Sequence, residues 1–428
     1  MTPAPAAEEA DVNRLAVLVI GAGYAGVMAT NRLLGSLSGP EANRVRVTVV
    51  NPRPEFVERI RLHELAAGSR ASVLIPLAEI LHRDARLLVG TARHIDADAR
   101  TVTVATAAGE VIERYDHLIY APGSTAAAPV PGAREHAHLL ANLDGAQAAA
   151  RQLADSAAGS TVVVVGGGFT GVEAAAEIAD RRPDLGVTLL SSGPVAAQMP
   201  PAARASIRRS LTRLGVHLSE DATADRITDR AVNLSDGRTV DFDSCVVALS
   251  FTAPDLARAS GLSVDRVGRL RLDETLRCVD APSIIGAGDA VVTPGGVGAH
   301  LRMSCAAALP LGGHAAETVL RLIRGQEPAR ISIGFVLQCL SLGRKDGYIQ
   351  LVRPDDSARA GRLTGRGAAW VKERICRLVV DGPTKERRRP GAYRTAKGPR
   401  RALIAAPHPP QLPHPVGGPR TGPGRPRG

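Results

Sequence analysis

Apolar residues fall in short runs that alternate with helical stretches, a pattern typical of parallel sheets covered by helices. The run Leu15 to Ile20 continues into Gly21-Ala22-Gly23-Tyr24-Ala25-Gly26. A helical stretch then reaches about Leu34, and a second apolar run covers Val45 to Val50. Strand, tight turn, helix and strand at this spacing form a βαβ unit. The pattern therefore predicts an α/β fold.

The same unit occurs a second time in the chain. Residues 161–165 form an apolar run that leads into Gly166-Gly167-Gly168-Phe169-Thr170-Gly171. A helix from Val172 to about Arg181 and a strand over residues 187–190 follow. The first glycines of the two turns lie 145 residues apart, which is too long for a solenoid repeat. The repeat instead indicates a duplicated nucleotide-binding unit.

Each unit is followed by a β-hairpin and one further strand. Residues 101–114 predict the first hairpin, which precedes a strand over residues 116–120. Residues 231–242, around Asp236-Gly237, predict the second hairpin, which precedes a strand over residues 245–249. The second unit therefore copies the first in this detail also.

The remaining part of the chain predicts a mixed α+β region. A strand over Ser283 to Ile285 and a helix from Ser304 to about Ile323 come first. Strand-like stretches over Ile331 to Val336 and Tyr348 to Val352 follow, with a short helix near Ala368 to Leu378. We expect these last three elements to form a small unit of their own.

The formal net charge of +11 is concentrated at one end of the chain. Residues 383–428 hold 11 Lys and Arg residues against a single acid, so residues 1–382 carry only about +1. The folded body therefore offers no electrostatic basis for nucleic-acid binding. Pro, Gly and Arg dominate the tail, and we expect it to be largely disordered.

The five cysteines lie 27 to 37 residues apart, without a CxxC pair or a metal-binding cluster. We interpret them as reduced, buried thiols of a cytoplasmic protein. No apolar run approaches the ~20 residues needed to cross a bilayer, and the first residues do not resemble a secretory signal. The expected location is the cytoplasm, with peripheral attachment to the inner face of the membrane as a second option.

The two glycine turns are candidate nucleotide-binding sites. In such a turn the first glycine permits the tight bend, the second lets a pyrophosphate approach, and the third allows close packing of helix on strand. The helix N-terminus then faces the anion. The candidates are Gly21, Ala22, Gly23, Tyr24, Ala25 and Gly26 in the first unit, and Gly166, Gly168, Phe169, Thr170 and Gly171 in the second. The alternative is a merely structural glycine loop.

The acidic residue that usually binds the ribose at the end of the second strand is absent from both units. Asn51 replaces it in the first unit, and Ser191-Ser192 replaces it in the second. Asn51 can bond a ribose hydroxyl, or it can simply form a turn before Pro52. Because the acid also repels a 2′-phosphate, its loss leaves both NADH and NADPH open as substrates.

Four ordered motifs resemble those of the two-dinucleotide-binding-domain flavoprotein family, over roughly residues 15–325. They are Gly21 to Gly26, Tyr115 to Ser124, Gly166 to Glu173, and Ser283 to Asp289. The resemblance implies an FAD domain with an inserted NAD(P) domain, both Rossmann-like. It also implies FAD and NAD(P)H as cofactors.

The resemblance assigns roles to two acids. It places Asp289 on the ribitol of FAD, and it places Glu173 beside the nicotinamide and the flavin as the catalytic residue. The simpler interpretations are a turn cap for Asp289 and a solvated first-turn acid for Glu173. Further candidate contacts of the cofactors are Arg59, Ala121, Gly123, Gly288, Asn51 and Ser191.

The predicted domain boundaries follow from the motif order. They are a flexible N-terminus (1–14), the first part of the FAD domain (15–150), the NAD(P) domain (151–267), the second part of the FAD domain (268–325), a C-terminal interface region (326–382) and the basic tail (383–428).

Disulfide reductases of this family carry a CxxxxC pair beside the flavin, whereas residues 56–68 of this chain contain no cysteine. This segment is more similar to type II NADH dehydrogenases, in which electrons pass directly from flavin to an acceptor. The glutamine of their quinone motif is missing from residues 303–312. A small-molecule electron acceptor is therefore predicted, with a quinone as one candidate, and a homodimer is left open.

Two alternatives remain. Nucleotide binding could serve a regulatory or nucleic-acid-associated protein with little turnover, in which the basic tail is the active part. The stretch Trp370 to Val380 could lie on a membrane surface or pack as a C-terminal helix.

Overall fold

The computed structural model of the chain describes residues 14–400. The predicted flexible N-terminus, except for Arg14, lies outside the described residues, as does the predicted tail from residue 401 onward. Between residues 14 and 400, no helix has the length and apolar character needed to cross a membrane.

The strands are β1 (Leu15–Ile20), β2 (Val45–Asn51), β3 (Glu55–Val57), β4 (Leu74–Pro76), β5 (Ala85–Val89), β6 (Thr91–Asp96), β7 (Thr101–Thr106), β8 (Gly109–Arg114), β9 (His117–Tyr120), β10 (Thr125–Ala126), β11 (His138–Leu139), β12 (Thr161–Val165), β13 (Gly186–Leu190), β14 (His217–Ser219), β15 (Ala224–Ile227), β16 (Ala231–Leu234), β17 (Thr239–Asp241), β18 (Ser244–Val247), β19 (Phe251–Thr252), β20 (Leu270–Arg271), β21 (Ile284–Gly286), β22 (Val291–Val292), β23 (Leu337–Ser341), β24 (Gly347–Val352) and β25 (Ala358–Thr364). The α-helices are α1 (Tyr24–Ser36), α2 (Gly39–Arg44), α3 (Leu62–Ala66), α4 (Leu77–Ile80), α5 (Ala133–His136), α6 (Leu143–Asp155), α7 (Phe169–Arg181), α8 (Pro201–Arg213), α9 (Leu256–Ala259), α10 (Gly295–Gly298), α11 (Cys305–Ile323) and α12 (Gly365–Glu386).

The first sheet is parallel, with the order β21-β9-β1-β2-β5. Strand β1 is buried along nearly its whole length, as expected for a continuous apolar run covered by structure on both faces. Its last strand, β21, comes from far along the chain and pairs Ile284 with Leu118. The sheet is therefore completed only after the second unit. This confirms the predicted α/β fold with one unit inserted in the other.

The second sheet is also parallel, with the order β11-β18-β12-β13-β14. Along the chain, the second unit starts with β11, which pairs with β18. Helix α6 follows and packs beside these two strands. We predicted that the second unit begins at residue 151, which would divide α6. That boundary is wrong, because the pair of β10 with β19 marks the crossing between the units near residues 125 and 252.

The C-terminal region forms an antiparallel sheet of β23, β24 and β25 with α12 packed on it. The strand predicted over Ile331 to Val336 is not formed, and the strand begins at Leu337 instead. The alternating apolar residues of the predicted strand are buried in the core of the first unit. The alternation of buried and less buried residues therefore comes from the packing of an extended segment, which forms no regular sheet pairing.

The beginning of the basic tail is ordered and docks on α1, contrary to our prediction of disorder from residue 383. Helix α12 continues through Pro383 to Glu386, whose carboxylate is fully buried. Arg32 of α1 bonds both carboxylate oxygens of Glu386, at 2.8 and 3.1 Å, and also the carbonyl of Tyr393 at 2.9 Å. Average composition could not reveal that this acid has a buried partner 354 residues away.

The Arg32–Glu386 pair supplies a stability prediction with an internal control. Replacing Glu386 by Ala leaves Arg32 buried without its main partner, so we expect a loss of about 3–5 kcal/mol. Glu317 pairs with the same arginine at 3.1 Å, but its side chain is 53% exposed. Glu317→Ala should therefore cost less than about 1 kcal/mol. Urea unfolding of both variants tests this, and equal losses would contradict it.

Candidate functional site

The first glycine turn has no room for side chains at two of its three glycines. Gly21 has a φ of +94°, and a Cβ there would lie 2.3 Å from the carbonyl oxygen of Ala121. A Cβ on Gly26 would lie 1.8 Å from the carbonyl oxygen of Gly21. By contrast, a Cβ on Gly23 would meet nothing within 4 Å. The turn is thus closely packed at Gly21 and Gly26 and open at Gly23, just before α1, where a pyrophosphate would bind.

The second glycine turn repeats this geometry. A Cβ on Gly166, whose φ is +126°, would lie 2.5 Å from the carbonyl oxygen of Ala248. A Cβ on Gly171 would lie 1.8 Å from the carbonyl oxygen of Gly166, whereas Gly168 is open. The predicted neighbours Phe169 and Thr170 begin α7 and are half-buried.

The residues at the strand ends have different surroundings. Asn51 accepts a hydrogen bond from the backbone N–H of Ala22 at 3.0 Å and donates to the carbonyl of Arg53 at 2.7 Å. These bonds fix the first glycine turn against the end of β2. Ser191 is buried against the second turn, with its Oγ 2.0 Å from the place that a Cβ of Gly167 would occupy.

Asp289 follows β21 and lies beside the Tyr115 to Ser124 motif. The hydroxyl of Ser124 donates to Oδ2 at 2.8 Å, while Oδ1 is buried and has no partner among residues 14–400. Burial raises the pKa of the carboxyl group, although Ser124 and Arg59 oppose the shift. A buried acceptor without a donor is rare in folded proteins. A ribitol hydroxyl of FAD would supply that donor, so Asp289 and the open glycine turn fit this cofactor.

Arg59 connects the residues around Asp289. Its guanidinium donates to the carbonyl oxygens of Ser124 at 2.6 Å and Ala141 at 2.9 Å, and it lies 6.0 Å from the ring centre of Phe251. Burial lowers the pKa of Arg59, and Asp289 opposes this shift. Gly123 lies against the same guanidinium. The structure therefore brings Arg59, Gly123 and Asp289 together, and their contact with the cofactor stays a prediction.

The other predicted contacts of the first unit line the same place. Ala121 is buried and donates its backbone N–H to Ile20 at 2.9 Å. Tyr24 packs edge-on against Phe56, with ring centres 5.1 Å apart. Gly288 has a φ of +81° and would bring a Cβ within 3.1 Å of Ala25.

Glu173 is the fifth residue of α7 and is buried against the C-terminal region. Its Oε1 accepts a hydrogen bond from the backbone N–H of Ser341 at 3.0 Å and pairs with Nζ of Lys372 at 3.0 Å. Burial opposes ionisation, but Lys372 outweighs it and lowers the pKa of Glu173. The interpretation of Glu173 as a solvated helix-start acid is therefore wrong. Sequence reasoning missed Lys372 as its partner, because it considered that lysine only as part of a membrane-surface or packed C-terminal helix.

A network of buried charges surrounds this pair. Arg61 is 2% exposed and bonds Glu64 at 2.9 Å and Glu373 at 2.9 and 3.0 Å. Arg344 pairs with Glu177 of α7 at 2.7 Å. The network joins the loop after β3, the second unit and the C-terminal region. These three parts are thereby held together around Glu173.

One side of helix α12 packs on the body of the protein, and another side is exposed to solvent. Cys376 and Val379 are buried, whereas Trp370 and Leu378 are exposed. The helix thus packs on the body, as one of our two interpretations required, while its exposed apolar residues keep a surface role open.

The fold has two glycine turns on two parallel sheets, a buried acid that follows a strand of the first sheet, and an ion-paired acid near the start of the helix after the second turn. These features define a dinucleotide-dependent flavoprotein. A family model described as pyridine nucleotide-disulphide oxidoreductase matches residues 15–309. The chain therefore belongs to this family. It is an FAD-dependent oxidoreductase that uses NAD(P)H.

Related proteins agree with this assignment. An NADH dehydrogenase-like protein of Mycobacterium tuberculosis is 32% identical over 349 residues, which cover 76% of this chain and 85% of that protein. A type II NADH:quinone oxidoreductase of Staphylococcus aureus is 31% identical over 188 residues, covering 40% of this chain and 45% of that protein. The solved structure of NDH2 from Plasmodium falciparum with NADH superposes with a TM-score of 0.73 at 14% identity, over 87% of this chain and 98% of that one.

The orphaned oxygen of Asp289 leads to a prediction about cofactor content. Asp289→Ala should lose most bound flavin, because it removes the carboxylate and leaves no acceptor for a ribitol hydroxyl. Ser124→Ala removes one hydrogen bond to the same carboxylate and should weaken flavin binding less. Flavin absorbance per protein after gel filtration measures both, and stoichiometric flavin in Asp289→Ala would refute the assignment.

The buried network predicts a pH dependence of stability. Burial opposes ionisation of Glu373, but Arg61 and Arg377 outweigh it and lower its pKa from 4.5 to about 2. Because the folded pKa lies below the unfolded value, the stabilisation is complete above pH 4.5 and is lost as the pH falls toward 2. Glu373→Gln should therefore be less stable than wild type at pH 7, and this difference should shrink by pH 3. Thermal unfolding at both pH values measures it, and a difference that does not change with pH would contradict the network.

Proposed function

We propose that this enzyme passes electrons from NAD(P)H through bound FAD directly to a small acceptor, without a redox-active disulfide, and that the acceptor is a quinone. The observation that carries the proposal is the buried Glu173–Lys372 pair. The pair joins α7, the helix after the second glycine turn, to the C-terminal helix α12. Its proton-bearing group is the ammonium of Lys372, which lies where these two helices meet.

The thiols support a route without a disulfide. All five cysteines are unpaired, and none lies in residues 56–68, where a flavin-adjacent dithiol would be needed. Arg61, His63 and Glu64 occupy that segment. Burial raises the pKa of Cys305 to about 11 and that of Cys376 to about 12. These two thiols therefore stay protonated at neutral pH and are poor nucleophiles.

The FAD, when bound, supplies the hydride-accepting chemistry, and the protein supplies orientation and protons. The Glu173 carboxylate accepts hydrogen bonds at the start of α7, beside the place that the resemblance gives to the nicotinamide amide. Burial opposes the charge on Lys372, but Cys339 and Glu173 outweigh it and raise the pKa of the lysine. Lys372 thus holds a proton in a buried position.

A proton is needed there for stoichiometric reasons. Reduction of a quinone to a hydroquinone takes two electrons and two protons, and the nicotinamide hydride brings two electrons but only one proton. The second proton must come from the protein or from solvent. Because its pKa is raised, the ammonium of Lys372 is a weak acid, so it is suited to stabilise negative charge on the reduced acceptor while solvent supplies the second proton.

The surface of the C-terminal region supports a lipid-soluble acceptor. Val336, Leu351, Leu363 and Trp370 are exposed, the last by 67%. The exposed Arg359, Arg362 and Arg366 lie along the same stretch of chain. Apolar side chains interleaved with arginines are typical of surfaces that bind anionic membranes. The name of the Staphylococcus aureus relative, a NADH:quinone oxidoreductase, supports the same acceptor.

Rapid mixing under anaerobic conditions tests the proposal. The flavin should bleach on mixing with NAD(P)H and reoxidise with a soluble quinone analogue, and much more slowly with a disulfide substrate. Preference for the disulfide would overturn the proposed acceptor. If no nucleotide bleached the flavin, the alternative of a regulatory protein would be favoured instead.

Glu173 should act on the hydride-transfer step. Glu173→Gln should slow flavin reduction at saturating nucleotide ~10-fold or more, a barrier change of about 1.4 kcal/mol, while FAD stays bound. Glu177→Gln is the matched control, because it alters a buried carboxylate one turn later that pairs with Arg344. The control should lose stability but keep the wild-type rate. A wild-type reduction rate in Glu173→Gln would remove this residue from the site.

A further inference from the structure

The ribose end of the second nucleotide site carries no negative charge at the position that usually selects NADH. The backbone N–H of Gly166 bonds the carbonyl of Leu190 at 2.9 Å, so Ser191 is the residue at the strand end beside the glycine turn. An acid at this position bonds the 2′-hydroxyl of NADH and repels a 2′-phosphate. A buried serine offers a neutral hydroxyl instead. The site therefore lacks the repulsive element against NADPH.

A groove rich in arginine begins just beyond this strand end. Its volume is about 980 Å³, and its lining includes Pro194, Arg204, Arg208, Arg209, Arg213 and Glu220. We call it the α8 groove. Pro194 follows Ser191 by three residues, a distance of at most about 10 Å along the chain. The backbone N–H of Ala196 bonds the carbonyl of Gly167 at 2.8 Å, which holds this loop between the glycine turn and the groove.

Only some of the arginines in the α8 groove are neutralised. Arg208 pairs with Glu220, which also accepts the backbone N–H of Val195 at 2.7 Å, and Arg213 pairs with Asp346 at 3.1 Å. Within residues 14–400, no carboxylate pairs with Arg204 or Arg209, and the Nε of Arg204 is buried without a hydrogen-bond acceptor. The groove thus has a net positive charge and one buried donor in need of an anion.

We propose that the α8 groove binds the 2′-phosphate of NADPH, with Arg204 and Arg209 as its cationic partners, and that NADPH is used at least as efficiently as NADH. This inference rests on the proposed function, since it names the nucleotide of the same site. A guanidinium is the side chain best matched to a phosphate, because it can donate two parallel hydrogen bonds. The neutral Ser191 at the strand end leaves the way to those arginines open.

The test compares two nucleotides that differ by one phosphate. We expect the kcat/KM of wild-type enzyme for NADPH to equal or exceed that for NADH. Arg204→Ala and Arg209→Ala should each lower the ratio of NADPH to NADH efficiency about 10-fold. Ser191→Asp should lower the ratio by at least as much, because it restores the repulsive charge. Arg226→Ala, an exposed arginine on β15 outside the groove, should leave the ratio unchanged.

Binding measurements separate this proposal from the proposed function. Calorimetry with NADP⁺ and NAD⁺ reports the 2′-phosphate contribution even if the enzyme shows no turnover. Tighter binding of NADP⁺ that is lost in Arg209→Ala supports the proposal. A higher kcat/KM for NADH than for NADPH, or tighter binding of NAD⁺ than of NADP⁺, in the wild-type enzyme would overturn it, as would equal weakening of both nucleotides in the arginine variants. Arg209 is exposed, so its variant should fold even if Arg204→Ala does not.

Discussion

Buried charges require partners, and in this protein those partners come from separate parts of the chain. Arg61, with almost no exposed surface, bonds Glu64 of the adjoining helix α3 and Glu373 of the C-terminal helix. Lys372 is bonded by Glu173 of the second unit. Removing one member of such a pair leaves an uncompensated charge, which is costly. The two nucleotide-binding units and the C-terminal region are thus held in one arrangement by the need to keep these charges paired.

This arrangement determines what each glycine turn can do. A glycine turn of this kind binds a dinucleotide through an open glycine and a helix N-terminus, and both turns have these features. Transfer between two dinucleotides also requires their reactive rings to meet. Arg59 connects the two units, because it donates to the carbonyl oxygens of Ser124 in the first unit and of Ala141 beside the second sheet. The surroundings of Asp289 and the relation between the units are therefore linked through one side chain.

The sequence was informative wherever structure depends on neighbouring residues. The glycine turns, the two hairpins and the long helix from residue 305 were predicted because their signals are local in the chain. Asp289 was singled out by motif order, whereas its proximity to Arg59 came only from the structure. The partner of Glu173 was not found, since Lys372 lies 199 residues away and its helix carries other basic residues. The start of the second unit was missed for a similar reason, because β11 has only two residues and owes its place to pairing with β18.

The docking of Glu386 on Arg32 has a consequence for biosynthesis. The first unit leaves the ribosome before the second, yet Arg32 gains its buried partner only 354 residues later. At the usual rate of translation, about 5–20 residues per second, that interval is roughly 20 to 70 s. During it, helix α1 carries an unmatched cation on a surface destined for the interior. The FAD-binding unit of this protein is therefore begun before the second unit and finished after it.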